Sequence, residues 1–81
     1  MTAEEMFEEL GYKKIKNDKH FISYSDNKYK TSNSICEKII NFNLEQRTVW
    51  CEIKDELGLR NTYFIPKEVK ATNKQLKELG W

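Results

Sequence analysis

The four-residue phrase Glu-Leu-Gly-aromatic occurs twice, as Glu9-Leu10-Gly11-Tyr12 and as Glu78-Leu79-Gly80-Trp81. Each copy closes an amphipathic stretch and carries the chemistry of a helix C-terminus. A glycine just past the last helical residue adopts the left-handed conformation, so the chain turns back and its amides satisfy the final carbonyls. The apolar residue that follows packs on the turn before it, which places Tyr12 near Phe7 and Trp81 near Leu76. The phrase thus predicts one helix over about 2–10 and another over about 66–79, with everything else confined between them.

The start and stop signals agree with that division. Thr2 followed by Glu5 is a capping box, and Met6, Phe7 and Leu10 share one side of the first helix. Glu4, Glu5, Glu8 and Glu9 fill its remaining surface, as a solvated acidic face or a docking surface for a basic partner. Pro66 suits the first turn of the second helix, where its missing N–H costs nothing. Val69, Thr72, Leu76 and Leu79 are the expected inward stripe of that helix, with Lys67, Lys70, Lys74 and Lys77 opposite.

The middle of the chain reads as strands. An extended segment centred on Ile15 is followed by the turn pair Asn17-Asp18 and by a returning strand over 20–24. Residues 25–34 carry no aliphatic side chain and read as a mobile loop. Loops of that length in small domains are often functional. Ile40, Phe42 and Leu44 then alternate with Asn41 and Asn43. Beyond a turn at Glu45-Gln46-Arg47, Val49, Cys51 and Ile53 alternate with Thr48, Trp50, Glu52 and Lys54. This period-two pattern predicts a hairpin with one buried face. Residues 55–61 read as a hairpin loop and 62–65 as the last strand. The expected fold is one α+β domain over 1–81: an antiparallel sheet of four to five strands within 12–65, with both helices on one face.

Length and charge narrow the class of protein. Eighty-one residues supply one core. At 12% aromatic the chain is not composed like a disordered one. Fourteen basic and 13 acidic residues give a formal net charge of +1, which excludes a strongly polycationic or polyanionic role. No apolar run is long enough for a membrane span, and the acidic N-terminus is unlike a signal peptide, so a cytoplasmic location is expected. The hairpin register sets Cys36 and Cys51 about five residues out of alignment, roughly 16 Å at strand rise. A disulfide needs Cα atoms within about 7 Å, so both thiols are expected to be free.

No catalytic or ligand motif emerges. His20 is the single histidine, and one histidine with two separated cysteines lacks the short paired spacings of a zinc site. The three glycines are isolated, so no phosphate-binding loop is present. The sequence points to a protein that is not an enzyme and needs no cofactor or metal.

Two surfaces remain as candidates for binding. Trp50 and Ile39 fall on the sheet face opposite the core, where a second element, a dimer mate or a partner must cover them. Tyr24, Tyr63 and Arg47 are their candidate neighbours in a partner-binding patch. The second surface lies between Tyr12 and Lys38, where seven lysines and three acids are interleaved with aromatics. Lys13, Lys14, Lys16, Lys19, Lys28 and Lys30 are its candidate nucleic-acid contacts, with bases stacking on the rings. The enrichment is all lysine, whereas arginine supplies bidentate phosphate and guanine contacts.

The opening Met-Thr-Ala-Glu-Glu-Met-Phe-Glu-Glu-Leu-Gly-Tyr and the closing Ala71-Thr-Asn-Lys-Gln-Leu-Lys-Glu-Leu-Gly-Trp81 resemble a group of short accessory proteins from phages and prophages of low-GC Gram-positive bacteria. The resemblance covers the two ends and not the middle. It implies a phage origin, a cytoplasmic setting in an infected bacterium, and action by binding. Proteins of this kind include inhibitors of host defence such as anti-CRISPR proteins. The expected partner is therefore a bacterial host protein, with nucleic acid as the alternative.

Overall fold

Two Schellman turns frame the molecule. In the computed structural model, which describes residues 1–32 and 34–81, helix α1 spans Ala3–Glu9 and helix α2 spans Pro66–Glu78. After α1, the Tyr12 N–H donates to Phe7 O at 2.9 Å and the Gly11 N–H to Glu8 O at 3.0 Å. After α2, Trp81 donates to Leu76 O and Gly80 to Lys77 O, each at 3.0 Å. Gly11 and Gly80 have φ of 98° and 76°, the left-handed values these turns require. Tyr12 meets Phe7 edge to face with centroids 5.8 Å apart. The capping box forms as expected, Glu5 N donating to Thr2 Oγ1 and Thr2 N to Glu5 Oε1.

Between the helices, five strands run as an antiparallel meander in the order β1-β2-β3-β4-β5. They are β1 (Lys13–Asn17), β2 (Phe21–Lys30), β3 (Ile35–Asn43), β4 (Thr48–Asp55) and β5 (Gly58–Asn61). Register follows the alternation: Ile40 opposes Cys51, Phe42 opposes Val49, and on the other side Tyr24 opposes Ile40. Both helices lie on the face carrying Ile22, Tyr24, Ile40, Phe42 and Cys51. Phe7 of α1 stacks on Tyr24 with centroids 4.0 Å apart, and the Tyr24 hydroxyl donates to Gln75 of α2 at 2.5 Å. The Glu78 carboxylate accepts from the Ala3 N–H at 2.8 Å, fastening the end of α2 to the positive start of α1. Among the described residues, no helix is long and apolar enough to cross a membrane.

Three expectations are corrected. The loop expected over 25–34 is largely strand, since β2 continues to Lys30 and pairs with β3 up to Ile35. A register shift between Asp26 and Tyr29 lets this polar stretch remain in the ladder. Asn33, inside that expected loop, lies outside the described residues. The last strand is earlier than expected: β4 reaches Asp55, turns tightly and returns as β5, and residues 62–65 form an irregular connection. Gly58, with φ of 107°, makes that turn. Finally, the inward stripe of α2 holds at Thr72, which is buried, and at Leu76 and Leu79, which pack against the core. Val69, however, is 42% exposed, and Glu68, Ala71 and Gln75 are buried beside the stripe.

Cys51 lies opposite Ile40 and Cys36 opposite Tyr29, which is four rather than five residues along β3. Both thiols are free and buried.

Candidate binding face

The alternation that buries Ile40 and Phe42 turns their neighbours to the opposite side of the sheet, where, among the described residues, no helix packs. Phe21, Ser23 and Ser25 of β2 lie there beside Ile39, Asn41 and Asn43 of β3 and Trp50 and Glu52 of β4. Phe21, Ile39 and Trp50 are half-buried by one another and by the sheet itself. Phe21 meets Trp50 at 80° with centroids 6.3 Å apart. The Trp50 Nε1–H donates to Glu52 Oε1 at 2.6 Å, so the indole is held on two sides. Around this aromatic pair the surface is a hydrogen-bonded polar layer: Ser23 donates to Asn41 Oδ1 at 2.8 Å and Ser25 to Glu37 Oε2 at 2.5 Å. Lys13 and Lys16 of β1, opposite Ser25 and Ser23, complete the face at its edge. The Lys16 ammonium sits 5.2 Å from the Phe21 ring centroid. Lysines on that edge strand also discourage edge-to-edge pairing with another sheet.

The expected patch is brought together only in part. Trp50 and Ile39 share the open face, two residues apart in cross-strand register. Tyr24 does not: it is fully buried on the helix face between Phe7 and Phe42, because even-numbered residues of β2 point inward. Tyr63 is 87% exposed, but in the irregular connection after β5. Arg47 is exposed in the β3–β4 turn, with φ of 55°. Phe21 was missed, although its odd position in a strand already marks it as a neighbour of Trp50.

The lysine segment is divided as well. Lys14 pairs with Glu4 at 3.0 Å, while Lys13 and Lys16 lie on the open face. Lys19 is exposed before β2, and Lys28 and Lys30 are exposed on β2. Tyr12 and Tyr24 are buried, so two of the rings expected to stack on bases are inaccessible.

A second constellation escaped the sequence reading. Lys38 and Glu68 are each 1% exposed, and their charged groups lie 2.7 Å apart beneath the start of α2. The Lys38 ammonium also donates to Tyr63 O at 2.8 Å and to the Tyr29 hydroxyl at 3.5 Å. The Glu68 carboxylate also accepts from the Tyr12 hydroxyl at 2.7 Å and from the Ile65 N–H at 3.0 Å. Burial, followed by the hydrogen bond to Glu68, pushes the Tyr12 hydroxyl pKa far above the usual tyrosine value. A cavity of about 220 Å³ opens beside the cluster, bounded by Tyr12, Asp26, Tyr29 and Ile65. With all three ammonium donors directed at protein acceptors, Lys38 acts as a tie between β3, α2 and the connection. Two signals would have found it: Lys38 interrupts the apolar series Cys36–Ile40–Phe42, and Glu68 stands at the third position of a helix begun by Pro66, where a carboxylate reaches back to the cap.

No known protein family, characterised protein or solved structure matches the chain.

Proposed function

We propose that this is a small non-enzymatic binding protein of phage origin that inhibits a bacterial host protein, docking on it with the open face of the sheet. The observation that carries this reading is the Phe21–Trp50 pair set in a hydrogen-bonded rim of Ser23, Asn41 and Glu52 on a face no helix covers. Interface energy concentrates in such aromatic anchors when polar groups surround them. The phage setting, and a defence-system component as the class of target, rest on the resemblance of the two ends.

A polyanion suits this face less well. Glu37 and Glu52 lie on it, and apart from Lys54, which stands across from Glu37, its lysines are on the β1 edge. Duplex or single-stranded nucleic acid would bring phosphates against both carboxylates.

The test is capture from the lysate of a low-GC Gram-positive host, followed by binding measurements with the purified prey. Wild type and Lys70→Ala, altered on the outer surface of α2, should retain the same prey, and Trp50→Ala should lose it while still melting cooperatively. Equal retention by all three would overturn the assignment of the face. Retardation of an oligonucleotide at low salt, lost in Lys13→Ala/Lys16→Ala and released as salt rises, would favour nucleic acid instead.

A further inference from the structure

We infer that Trp50 and Glu52 together form a seat for an arginine side chain of the docked protein. This rests on the reading of the open face as the docking surface, and it names the chemistry that the face selects. Of the two acids on the open face, Glu37 and Glu52, charge accounting leads to Glu52. Three acids elsewhere have cations: Glu4 with Lys14, Glu68 with Lys38 and Asp55 with Arg60. Glu37 on the open face stands directly across from Lys54, where opposite charges on neighbouring strands stabilise one another. Glu52 stands across from Ile39 and Asn61, and among the described residues its one hydrogen-bond partner is the neutral Trp50 Nε1–H.

Glu52 is already half-buried. A protein settling on Trp50 would strip more water from this carboxylate, which is unfavourable unless a cation arrives with it. The indole beside it narrows the choice of cation. A guanidinium is planar, so it can lie on the Trp50 ring while its fork of N–H donors meets the carboxylate. An ammonium offers neither the plane nor the fork. The seat is also preorganised, since the Phe21 edge and the Nε1–Glu52 bond fix the indole before any partner arrives. The face carries a complementary feature at its other side. Lys13 and Lys16 lie three strands from Trp50, about 14 Å at the usual strand spacing. The matching surface thus has a basic anchor and, that far away, an acidic patch.

The experiment uses the full chain and amide NMR, titrated with N-acetyl-arginine N-methylamide against matched sodium chloride. The Trp50→Phe variant identifies the Trp50 indole resonance. The expected result is a saturable shift of that resonance and of the Glu52 amide, at least threefold tighter than with the lysine analogue. It should be absent with the uncharged citrulline analogue and absent in Glu52→Gln. No shift with arginine, or an equal one with citrulline, overturns the seat even if Trp50→Ala still loses the captured prey. Equal affinity for lysine overturns the guanidinium assignment. A specific arginine shift in a protein whose prey capture ignores Trp50→Ala would leave the seat standing and refute the docking face.

Discussion

The ammonium of Lys38 and the carboxylate of Glu68 lie 2.7 Å apart with almost no contact with solvent, at the interface between α2 and the sheet. Neither charge tolerates burial alone. Lys38→Met leaves Glu68 with a phenol and an amide as its partners, and should cost about 3–5 kcal/mol, a large share of the stability of a domain this size. Lys38→Met/Glu68→Leu removes both charges and should recover much of the loss. Urea melts of the single and double variants measure the coupling. A single variant within about 1 kcal/mol of wild type would show that the pair does not tie α2 to the sheet.

Gly11 gives a local test of the helix-end reading. A Cβ there would come no closer than 3.4 Å to the Asp26 carboxylate, so there is room, but φ of 98° is unfavourable for any L side chain. Gly11→Ala should therefore destabilise by about 1 kcal/mol through backbone strain alone. Equal stability would mean that the turn relaxes without cost.

Burial sets the response to alkali. The hydroxyls of Tyr12 and Tyr24 are held well above the usual tyrosine pKa, chiefly by desolvation. In the unfolded chain both ionise near pH 10. The folded state therefore keeps protons that the unfolded state gives up. Stability should be intact below about pH 10 and fall progressively as the pH rises toward the folded values. Chemical melts at about pH 8 and about pH 11 should show the fall, and Tyr12→Phe should flatten it. An unchanged slope in the variant would remove Tyr12 as its source.

Burial also pushes the thiols of Cys36 and Cys51 up. The thiolate is the reactive species, so both should resist thiol reagents at neutral pH until the protein unfolds. Mass spectrometry without reductant should find two free thiols. A mass short by two hydrogens would mean a bridge, and with it a wrong β3–β4 register.

The parts of the fold legible in the sequence are those where one local rule dominates. Gly11, Gly80, Thr2 and Pro66 each mark a helix end by their own backbone chemistry, and the alternation from Ile40 to Ile53 set the central hairpin. The polar run from Ser25 to Lys30 misled because strand pairing there comes from β3, which supplies partners regardless of hydropathy; Ser25 is buried although it is a serine. The polar members of the inward face of α2 were not legible for a related reason. Glu68 and Gln75 are expensive to bury alone and become acceptable with Lys38, Tyr12 and Tyr24 as partners, residues at least 30 positions away. No periodicity within one element records a partner in another. On the open face, Trp50 and Ile39 were legible from parity alone, whereas Tyr24 carried the opposite parity and belonged to the core.

That contrast between two aromatics yields the last prediction. Tyr24 is fully buried, stacked on Phe7, set edge-on to Phe42 and hydrogen-bonded to Gln75. Tyr24→Ala should cost about 3–5 kcal/mol, through lost contacts and the cavity left behind. Trp50 is the larger side chain but is only half-buried, beside the Phe21 ring and the Glu52 carboxylate on the face away from the helices. Trp50→Ala should cost about 1 kcal/mol, a fall in melting temperature of about 4–8 °C. Side-chain size alone predicts the reverse order, so calorimetry of the two variants separates the explanations. If Trp50→Ala loses cooperative melting while Tyr24→Ala keeps it, the two faces of the sheet have been exchanged and the docking surface must lie under the helices' side. If the order holds, Trp50 is held in place by Phe21 and Glu52 at small benefit to the fold, as a side chain retained for what it contacts outside the molecule would be.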